Sequence, residues 1–266
     1  MQSVASSALP NYLQKSLLLC VLVAMTLVIA GRFLVPAISV VSTIAPLTIL
    51  LAYGAMAALC PSWLHHRHPD ILRRGIIFGL LAGAVFAGEI VLEYILLPTD
   101  NSRYGRIEFG AVFLLYFASA LIAALRSRSL KNAVLTSVVS AFIASLVWVI
   151  TVLAVFYLFR GSPPQALVSR AEGDYDDFAR SGMSNFDAFI MEDFMGATFF
   201  HLLLGLIVAA VLGALGGLVG KAIARIQKWR ASPKAAVTLR NGSRSTIRPS
   251  PRWTEWHLIR ASVWLR

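Results

Sequence analysis

Residues 194–221, FMGATFFHLLLGLIVAAVLGALGGLVGK, decide the fold class of this chain. The stretch is apolar over the length that a helix needs to cross a bilayer, and it ends in a lysine. Small residues recur every four positions after His201, at Gly205, Ala209, Gly213 and Gly217. Residues four apart share one helix face, and a face of small residues lets two helices approach closely in a membrane. The pattern predicts a membrane helix packed against a neighbour, with His201 inside the protein rather than in lipid.

The whole chain has the composition of a membrane protein. Of its 266 residues, 58% are hydrophobic and 14% are charged, and the mean hydropathy is +0.72. A soluble domain of this length cannot bury so much apolar surface. The net charge of +11 would suit a nucleic-acid-binding protein if it covered a soluble surface, but the cations gather in short loops and near the C-terminus. We therefore predict an all-α, polytopic membrane protein and expect no nucleic-acid partner.

A scan for apolar stretches of about 20 residues, which cross a hydrocarbon core of about 30 Å, predicts six membrane spans. They cover residues 16–35, 40–60, 75–97, 107–125, 133–159 and 196–220. Only Arg32 and Pro36 interrupt the first two, which favours a tight turn between two helices. Residues 1–15 are then a short cytoplasmic N-terminus. The alternative is that residues 1–30 are a signal segment cleaved after Ala30.

The distribution of lysine and arginine predicts the orientation of the bundle. With a cytoplasmic N-terminus, eighteen of these residues lie in cytoplasmic segments and six lie outside. Because cytoplasmic loops carry an excess of cations, both termini are predicted to be inside. The six-span layout occurs in several unrelated groups of small bacterial membrane proteins. We therefore expect a multi-pass protein of a cell membrane, the bacterial inner membrane in particular, with the lipid bilayer as its surroundings.

Two polar segments flank the last span of a helical bundle that extends over residues 16–225. Residues 160–195 are an acidic loop, predicted to be extracytoplasmic. In it, Ser184 and Asp187 have the spacing of a helix cap, which predicts a short helix resting on the outer membrane surface. Residues 226–266 are basic and lack an apolar period, which predicts a disordered cytoplasmic tail. Cations and tryptophans in such a tail can contact anionic lipid.

Two glutamates in the third span give the sharpest functional hypothesis. Glu89 and Glu93 are four residues apart, so they share a helix face, and an ionised group in hydrocarbon costs roughly 2.5 kcal/mol or more. Counted at about 1.5 Å per residue from the outer end of each span, Glu93 lies about 6 Å deep, Glu89 about 12 Å and His201 about 7 Å. The third and sixth spans are antiparallel in this topology, so the three groups share one level. We predict an ion or solute site in the outer leaflet that exchanges protons or binds a cation.

A structural role for the same groups is the alternative. Glu93 and Glu108 would then form ion pairs with Arg103 and Arg106 across the short outer loop. His201 would donate a hydrogen bond to a backbone carbonyl instead of contacting a ligand. Whether the glutamates face a hydrated cavity or a packed, ion-paired interface separates the two hypotheses.

The third span also has a face of small residues. Gly75, Gly79 and Gly83 recur at four-residue spacing, which marks this span as a second closely packed helix. Such faces can also contact another copy of the chain or another membrane protein. A scaffold or subunit that transports nothing and associates through these faces is therefore the second functional hypothesis, beside a transporter-like protein.

Other clusters in the sequence lack what their chemistry requires. His65, His66 and His68 have no cysteine or pair of carboxylates beside them, so we predict a solvated inner loop rather than a metal site. The acidic run at 174–177 lacks the glycine and glutamate of a calcium-binding loop, which favours a solvated acidic loop. No HExxH, P-loop or GxGxxG motif occurs. We predict no cofactor and no metal, and nothing in the sequence indicates an enzyme.

Overall fold

The computed structural model describes residues 3–96 and 102–230, and the regular structure of these residues is helical throughout. The elements are α1 (Ser3–Leu34), α2 (Val40–Arg67), α3 (Pro69–Val91), a π-helical turn (Leu92–Leu96), α4 (Ser102–Ser127), α5 (Leu130–Phe159), α6 (Pro163–Glu172), α7 (Asp174–Ser181) and α8 (Phe186–Arg230). Within the described residues, α1 to α5 and α8 are long and apolar enough to cross a membrane. The prediction of an all-α polytopic membrane bundle is confirmed.

Helix α5 is the centre of the bundle. Its sequence is apolar on every side, as expected of a membrane helix with neighbours all round, and most of its residues are buried. The helix begins at Ser129, whose hydroxyl accepts a hydrogen bond from the N–H of Asn132. Helices α1, α3 and α4 pack against it, and residues of α8 lie within contact distance of it.

Both small-residue faces lie against α5. A methyl group at Gly75, Gly79 or Gly83 would come within 3.0 Å of Val139, Ile143 or Val147 respectively. On α8, a methyl group at Gly205, Gly213 or Gly217 would come within 3.0 Å of Ser145, Ser137 or Ala133, and Ala209 is fully buried. Because real Cβ atoms rarely or never approach so closely, only glycine fits at these positions without a shift of the neighbouring atoms. The bare faces therefore bring α3 and α8 into direct contact with the central helix.

Helix α8 differs from the prediction of a separate helix on the outer surface. It is continuous from Phe186 to Arg230, so the segment predicted to lie on the membrane forms its first turns. Asn185, rather than Ser184, begins the helix by accepting a hydrogen bond from the N–H of Ala188 at 3.0 Å. Ala188 and Met191 are fully buried in the main apolar core. The separate helix was a wrong prediction because these apolar side chains pack against other helices instead of lipid.

Two predicted polar segments are partly helical as well. His65 and His66 belong to the last turn of α2 rather than to a loop, and the Nδ1 atom of His66 lies 2.7 Å from the backbone oxygen of Ser62. Residues 226–230, predicted to begin a disordered tail, are the last residues of α8. The remainder of that predicted tail, residues 231–266, lies outside the described residues.

Candidate functional site

A cavity of about 490 Å³ lies where the ends of α3 and α4 meet the first turns of α8 and the short helices α6 and α7. Six carboxylates line this acidic cavity, from Glu89, Glu93, Glu108, Glu172, Asp174 and Asp193. Its other walls include the rings of Tyr94, Phe109, Trp148, Phe194 and His201. None of the described lining residues is a lysine or an arginine. The cavity is therefore strongly negative wherever its carboxylates are ionised.

The carboxylates differ in their exposure to solvent. Glu172 and Asp193 are exposed, whereas Glu89, Glu93 and Asp174 are half-buried. Glu108 is buried, with 7% of its surface exposed, and its Oε1 atom has no hydrogen-bond partner in the described part of the chain. A buried polar oxygen without a partner is unfavourable by roughly 1–3 kcal/mol, and more when it is charged. The most buried carboxylate of the cavity is thus the one whose ionised form is least compensated.

A π-helical turn positions the second glutamate of the predicted pair. Helix α3 ends at Val91, and the wider turn Leu92–Leu96 carries Glu93. Glu89 and Glu172 lie close enough to Glu93 to interact with it electrostatically, and all three side chains line the cavity. Single π-helical turns occur frequently at functional sites, and here the turn carries one carboxylate toward two others.

The corner between α6 and α7 brings two more carboxylates to the rim. Gly173 joins these helices with a φ of 84°, a left-handed conformation that favours glycine, and it places Glu172 and Asp174 on either side of the corner. Burial raises the pKa of Asp174 to about 6, and the negative charges of Glu172 and Asp193 add to this shift, while a hydrogen bond with Ser169 opposes it. Asp174 therefore changes its charge in a pH range close to neutrality.

His201 forms part of the cavity wall. Its ring stacks on the indole of Trp148, with 3.8 Å between the ring centroids and 7° between the planes, and the rings of Phe86 and Phe109 lie 6.1 Å away. Its Nδ1 atom lies 3.2 Å from the backbone oxygen of Ala197. A carbonyl oxygen can only accept, so Nδ1 must carry the proton of this bond, and in the neutral ring Nε2 is then an acceptor. The ring is held by packing on one side and by this hydrogen bond along its own helix.

A second, apolar cavity of about 250 Å³ lies on the other side of this wall. Phe109 and His201 line both cavities. The apolar cavity is bounded on its outer side by Phe113, Phe200 and Leu204, which are exposed on the surfaces of membrane helices. His201 and Phe109 therefore separate the acidic cavity from a space that faces lipid.

The structure brings the three residues of the sequence hypothesis, Glu89, Glu93 and His201, into one cavity. Of the residues predicted to form ion pairs, Glu108 lines that cavity and Arg106 is exposed. The side chain of Arg103 lies outside the described residues, so its predicted pairing stays a prediction. The hydrogen bond of His201 to a backbone carbonyl, which the structural alternative required, is present.

Sequence reasoning missed the contribution of the acidic segment to this site. The run at 174–177 was predicted to be solvated, but it is the start of α7, and Asp174 lines the cavity half-buried. Glu172, Asp193 and Trp148 were not recognised as neighbours of the two membrane glutamates. The one available signal was the excess of acidic residues over cations between 160 and 195, in the segment that precedes His201.

Within the described residues, no three His, Cys, Asp or Glu side chains are arranged to hold a single metal ion. The carboxylates are instead distributed around the cavity walls. In comparisons with known proteins, the chain matches no protein-family model, no curated protein and no solved structure.

Proposed function

We propose that this multi-pass membrane protein binds cations, protons included, in the acidic cavity and thereby handles a cation or a cationic solute. The observation that carries the proposal is Glu108, a buried carboxylate whose Oε1 atom has no partner in the described part of the chain, in the wall of a cavity with five further carboxylates. On the predicted topology, the cavity is on the extracytoplasmic side. Ligands would enter past the exposed carboxylates of Glu172 and Asp193 and move toward the buried one.

Electrostatics supports a cation as the ligand. Six ionised carboxylates around 490 Å³ repel one another strongly, and none of the described lining residues supplies a positive charge from lysine or arginine. Ionised groups that are buried without compensation are unfavourable by several kcal/mol, so they take up protons or bind counter-ions. Protons and cations then compete for the same oxygens. A site of this kind couples cation binding to proton release.

Aromatic rings make the cavity suitable for organic cations. Trp148, Phe109 and Phe194 line the same space as the carboxylates. The faces of such rings attract ammonium groups by about 0.5–2 kcal/mol. The stacked ring of His201 completes this wall, and its neutral form offers an acceptor rather than a competing positive charge.

The scaffold hypothesis loses its main support. It required the small-residue faces of the third and sixth spans to be free for a partner. Gly75, Gly79 and Gly83 are in close contact with α5, and so are Gly205, Gly213 and Gly217. A partner that docks on these faces would have to displace the central helix.

The test is cation binding by the purified full chain in detergent, measured as thermal stabilisation and as proton release between pH 5 and 8. The probes are Na⁺, K⁺, Mg²⁺, Ca²⁺, Mn²⁺ and methylammonium, and flux of the best ligand into proteoliposomes follows. We expect one class of cation to stabilise the wild type. Glu108→Gln and Glu89→Gln should weaken its affinity about tenfold or more, because each removes a charge-assisted contact of about 1.5–3 kcal/mol.

Two further variants separate binding from packing. His201→Phe keeps an aromatic ring against Trp148, so we expect its cation affinity to fall less than about threefold. Asp176→Asn removes an exposed carboxylate of α7 that does not line the cavity, so it should behave as the wild type. The proposal is wrong if no probe stabilises the wild type, or if Asp176→Asn weakens binding as much as Glu108→Gln does.

A further inference from the structure

A basic cavity of about 220 Å³ lies at the opposite end of α3 and α4 from the acidic cavity. Three arginines from three different helices line it, together with an aspartate and two neutral polar residues: Arg67, Arg74, Arg126, Asp70, Ser127 and Asn132. On the predicted topology, this end of the bundle is cytoplasmic. Cations are expected there from the positive-inside rule, but that rule does not require them to converge on one cavity.

The positive charges of this basic cavity are only partly compensated. The side chain of Arg74 is 14% exposed, and its Nη2 atom lies 3.5 Å from Oδ2 of Asp70, whose side chain is 81% exposed. A pair with one solvent-exposed partner contributes little, about 0–1 kcal/mol. Arg126 lies close enough to Arg74 for the two charges to repel each other. Arg67 is exposed and lies over the ring of Trp63, with its Cζ atom 5.9 Å from the ring centroid. One aspartate thus faces three guanidinium groups.

We propose that the basic cavity binds a phosphate group. Guanidinium groups present their N–H donors in a planar fork that matches the oxygens of phosphate. The aspartate compensates one of the three guanidinium charges, so two positive charges remain for a ligand. The side-chain amide of Asn132 supplies a neutral donor in the same lining, whereas the hydroxyl of Ser127 already donates its proton to the backbone oxygen of Ala123 at 2.7 Å. A carboxylate ligand would use the same forks, but it carries one charge and two oxygens. Inorganic phosphate carries up to two charges, and a phosphodiester headgroup carries one charge but has two ester oxygens beside its two free ones.

The phosphate can belong to a free anion or to a lipid headgroup, and the surroundings offer a place for lipid. A groove of about 610 Å³ runs beside the basic cavity and shares Pro69 and Asp70 with it. The groove is lined mainly by apolar side chains of α1 and α3, among them Leu13, Leu72 and Ile76. A lipid whose phosphate occupies the basic cavity would have this groove for its acyl chains.

Two sets of measurements on the full chain distinguish the sources. In detergent, inorganic phosphate is titrated while thermal stability is followed, with chloride at equal ionic strength as the reference. In nanodiscs and by native mass spectrometry, retention of phosphatidylglycerol is compared with that of diacylglycerol, which has similar chains and no phosphate. Stabilisation by inorganic phosphate identifies the anion alone as sufficient. Retention of phosphatidylglycerol without that stabilisation identifies a lipid headgroup, and either result supports the proposal.

Matched variants test whether the arginines of the cavity are responsible. Arg126 is exposed, so Arg126→Gln should leave the fold intact. It should weaken phosphate or phosphatidylglycerol binding about tenfold. Arg74→Gln should weaken it at least as much, and Arg126→Lys should have an intermediate effect because it keeps the charge and loses the fork. Lys131→Gln removes one cation from the first turn of α5 without touching the cavity, so its affinity should change less than twofold. Equal losses in Arg126→Gln and Lys131→Gln, or retention of diacylglycerol equal to that of phosphatidylglycerol, would overturn the proposal.

Discussion

The acidic and basic cavities are built on the same two helices and carry opposite charges. On α3, Arg74 and Glu89 are 15 residues apart, which is about 22 Å along a helix, and on α4, Glu108 and Arg126 are about 27 Å apart. The cavities differ in the partner that their most buried charge has. Arg74 keeps a nearby aspartate, whereas Oε1 of the buried Glu108 has no hydrogen-bond partner among the described residues.

This difference shows which end has the stronger need for a ligand. Arg74 is largely buried too, with 14% of its side chain exposed, but it has an oppositely charged carboxylate 3.5 Å away. The buried carboxylate of Glu108 lies among five others, so desolvation and mutual repulsion both act against its ionised form. The electrostatics therefore favours the proposal of a cation or proton site in the acidic cavity more strongly than the proposal of an anion site in the basic cavity. That asymmetry is the reason for placing the main function at the acidic end.

The largest effect is expected from a substitution that puts a positive charge into the acidic cavity. Gly105 lines it, and a Cβ atom at this position meets nothing within 4 Å. In Gly105→Lys, the ammonium group would occupy the ligand's place, so we expect cation affinity to fall about 100-fold, from roughly 3 kcal/mol of repulsion. Phosphate binding at the other end should not change. Isothermal titration with both ligands measures the two affinities.

Gly105→Met is the control for this variant, since it has a side chain of comparable length without charge. It should weaken cation binding much less than lysine does. If the two variants behave alike, occupied volume rather than charge governs the cavity, and the electrostatic contrast between the two ends is not what controls binding.

An intermediate effect on binding is expected from a substitution at the contact between α3, which lines both cavities, and the central helix α5. A methyl group at Gly79 would lie 2.8 Å from the backbone oxygen of Ser140, so Gly79→Ala must separate α3 from α5. We expect a loss of about 1–3 kcal/mol in the free energy of unfolding, and weaker binding of cation and phosphate alike. Denaturant unfolding in detergent micelles and the same titrations measure both.

Gly88→Ala on the same helix is the matched control, because a Cβ atom there meets nothing within 4 Å. It should be neutral or slightly stabilising, since alanine favours a helix over glycine. If Gly79→Ala weakened binding in only one of the two cavities, the α3–α5 contact would not be what holds both sites in place.

The smallest effect is expected from pH at the rim of the acidic cavity. The pKa of Asp174 is raised by burial to about 6, above its ordinary value of 3.8. The folded state therefore binds more protons than the unfolded state between these values, so this group lowers the free energy of unfolding as pH rises toward 6. Above pH 6 the group is ionised and available to a cation. Cation affinity should thus rise severalfold from pH 5 to pH 7, and Asp174→Asn should reduce that rise.

Asp176→Asn, which leaves Asp174 intact, should keep the full pH dependence. Affinity measured at half-unit steps between pH 5 and pH 7 distinguishes the two variants. A profile that Asp174→Asn leaves unchanged would assign the pH dependence to carboxylates deeper in the cavity and remove Asp174 from the site.

The apolar spans themselves were predictable because length and hydropathy alone decide whether a helix can cross a bilayer. The fixed period of an α-helix also made the faces of Gly75, Gly79 and Gly83 visible in the sequence. The level shared by Glu89, Glu93 and His201 followed from counting residues along antiparallel spans. Each of these features depends on the sequence and geometry of single helices, so it can be predicted from the sequence without knowing how the helices pack.

Only the tertiary structure showed which helices meet. It placed α5 between the two glycine faces and put Glu108, whose Oε1 atom has no partner among the described residues, in the wall of a cavity. It also brought Glu172 and Asp174 to that cavity through the corner at Gly173. At the other end, it brought Arg67, Arg74 and Arg126 together around the basic cavity. Contacts between residues far apart in the chain depend on the packing of several helices at once, and no local period in the sequence encodes them. The sequence alone thus determined that this is a six-span membrane protein with charges in its helices, and the packing decided that those charges surround two cavities of opposite sign.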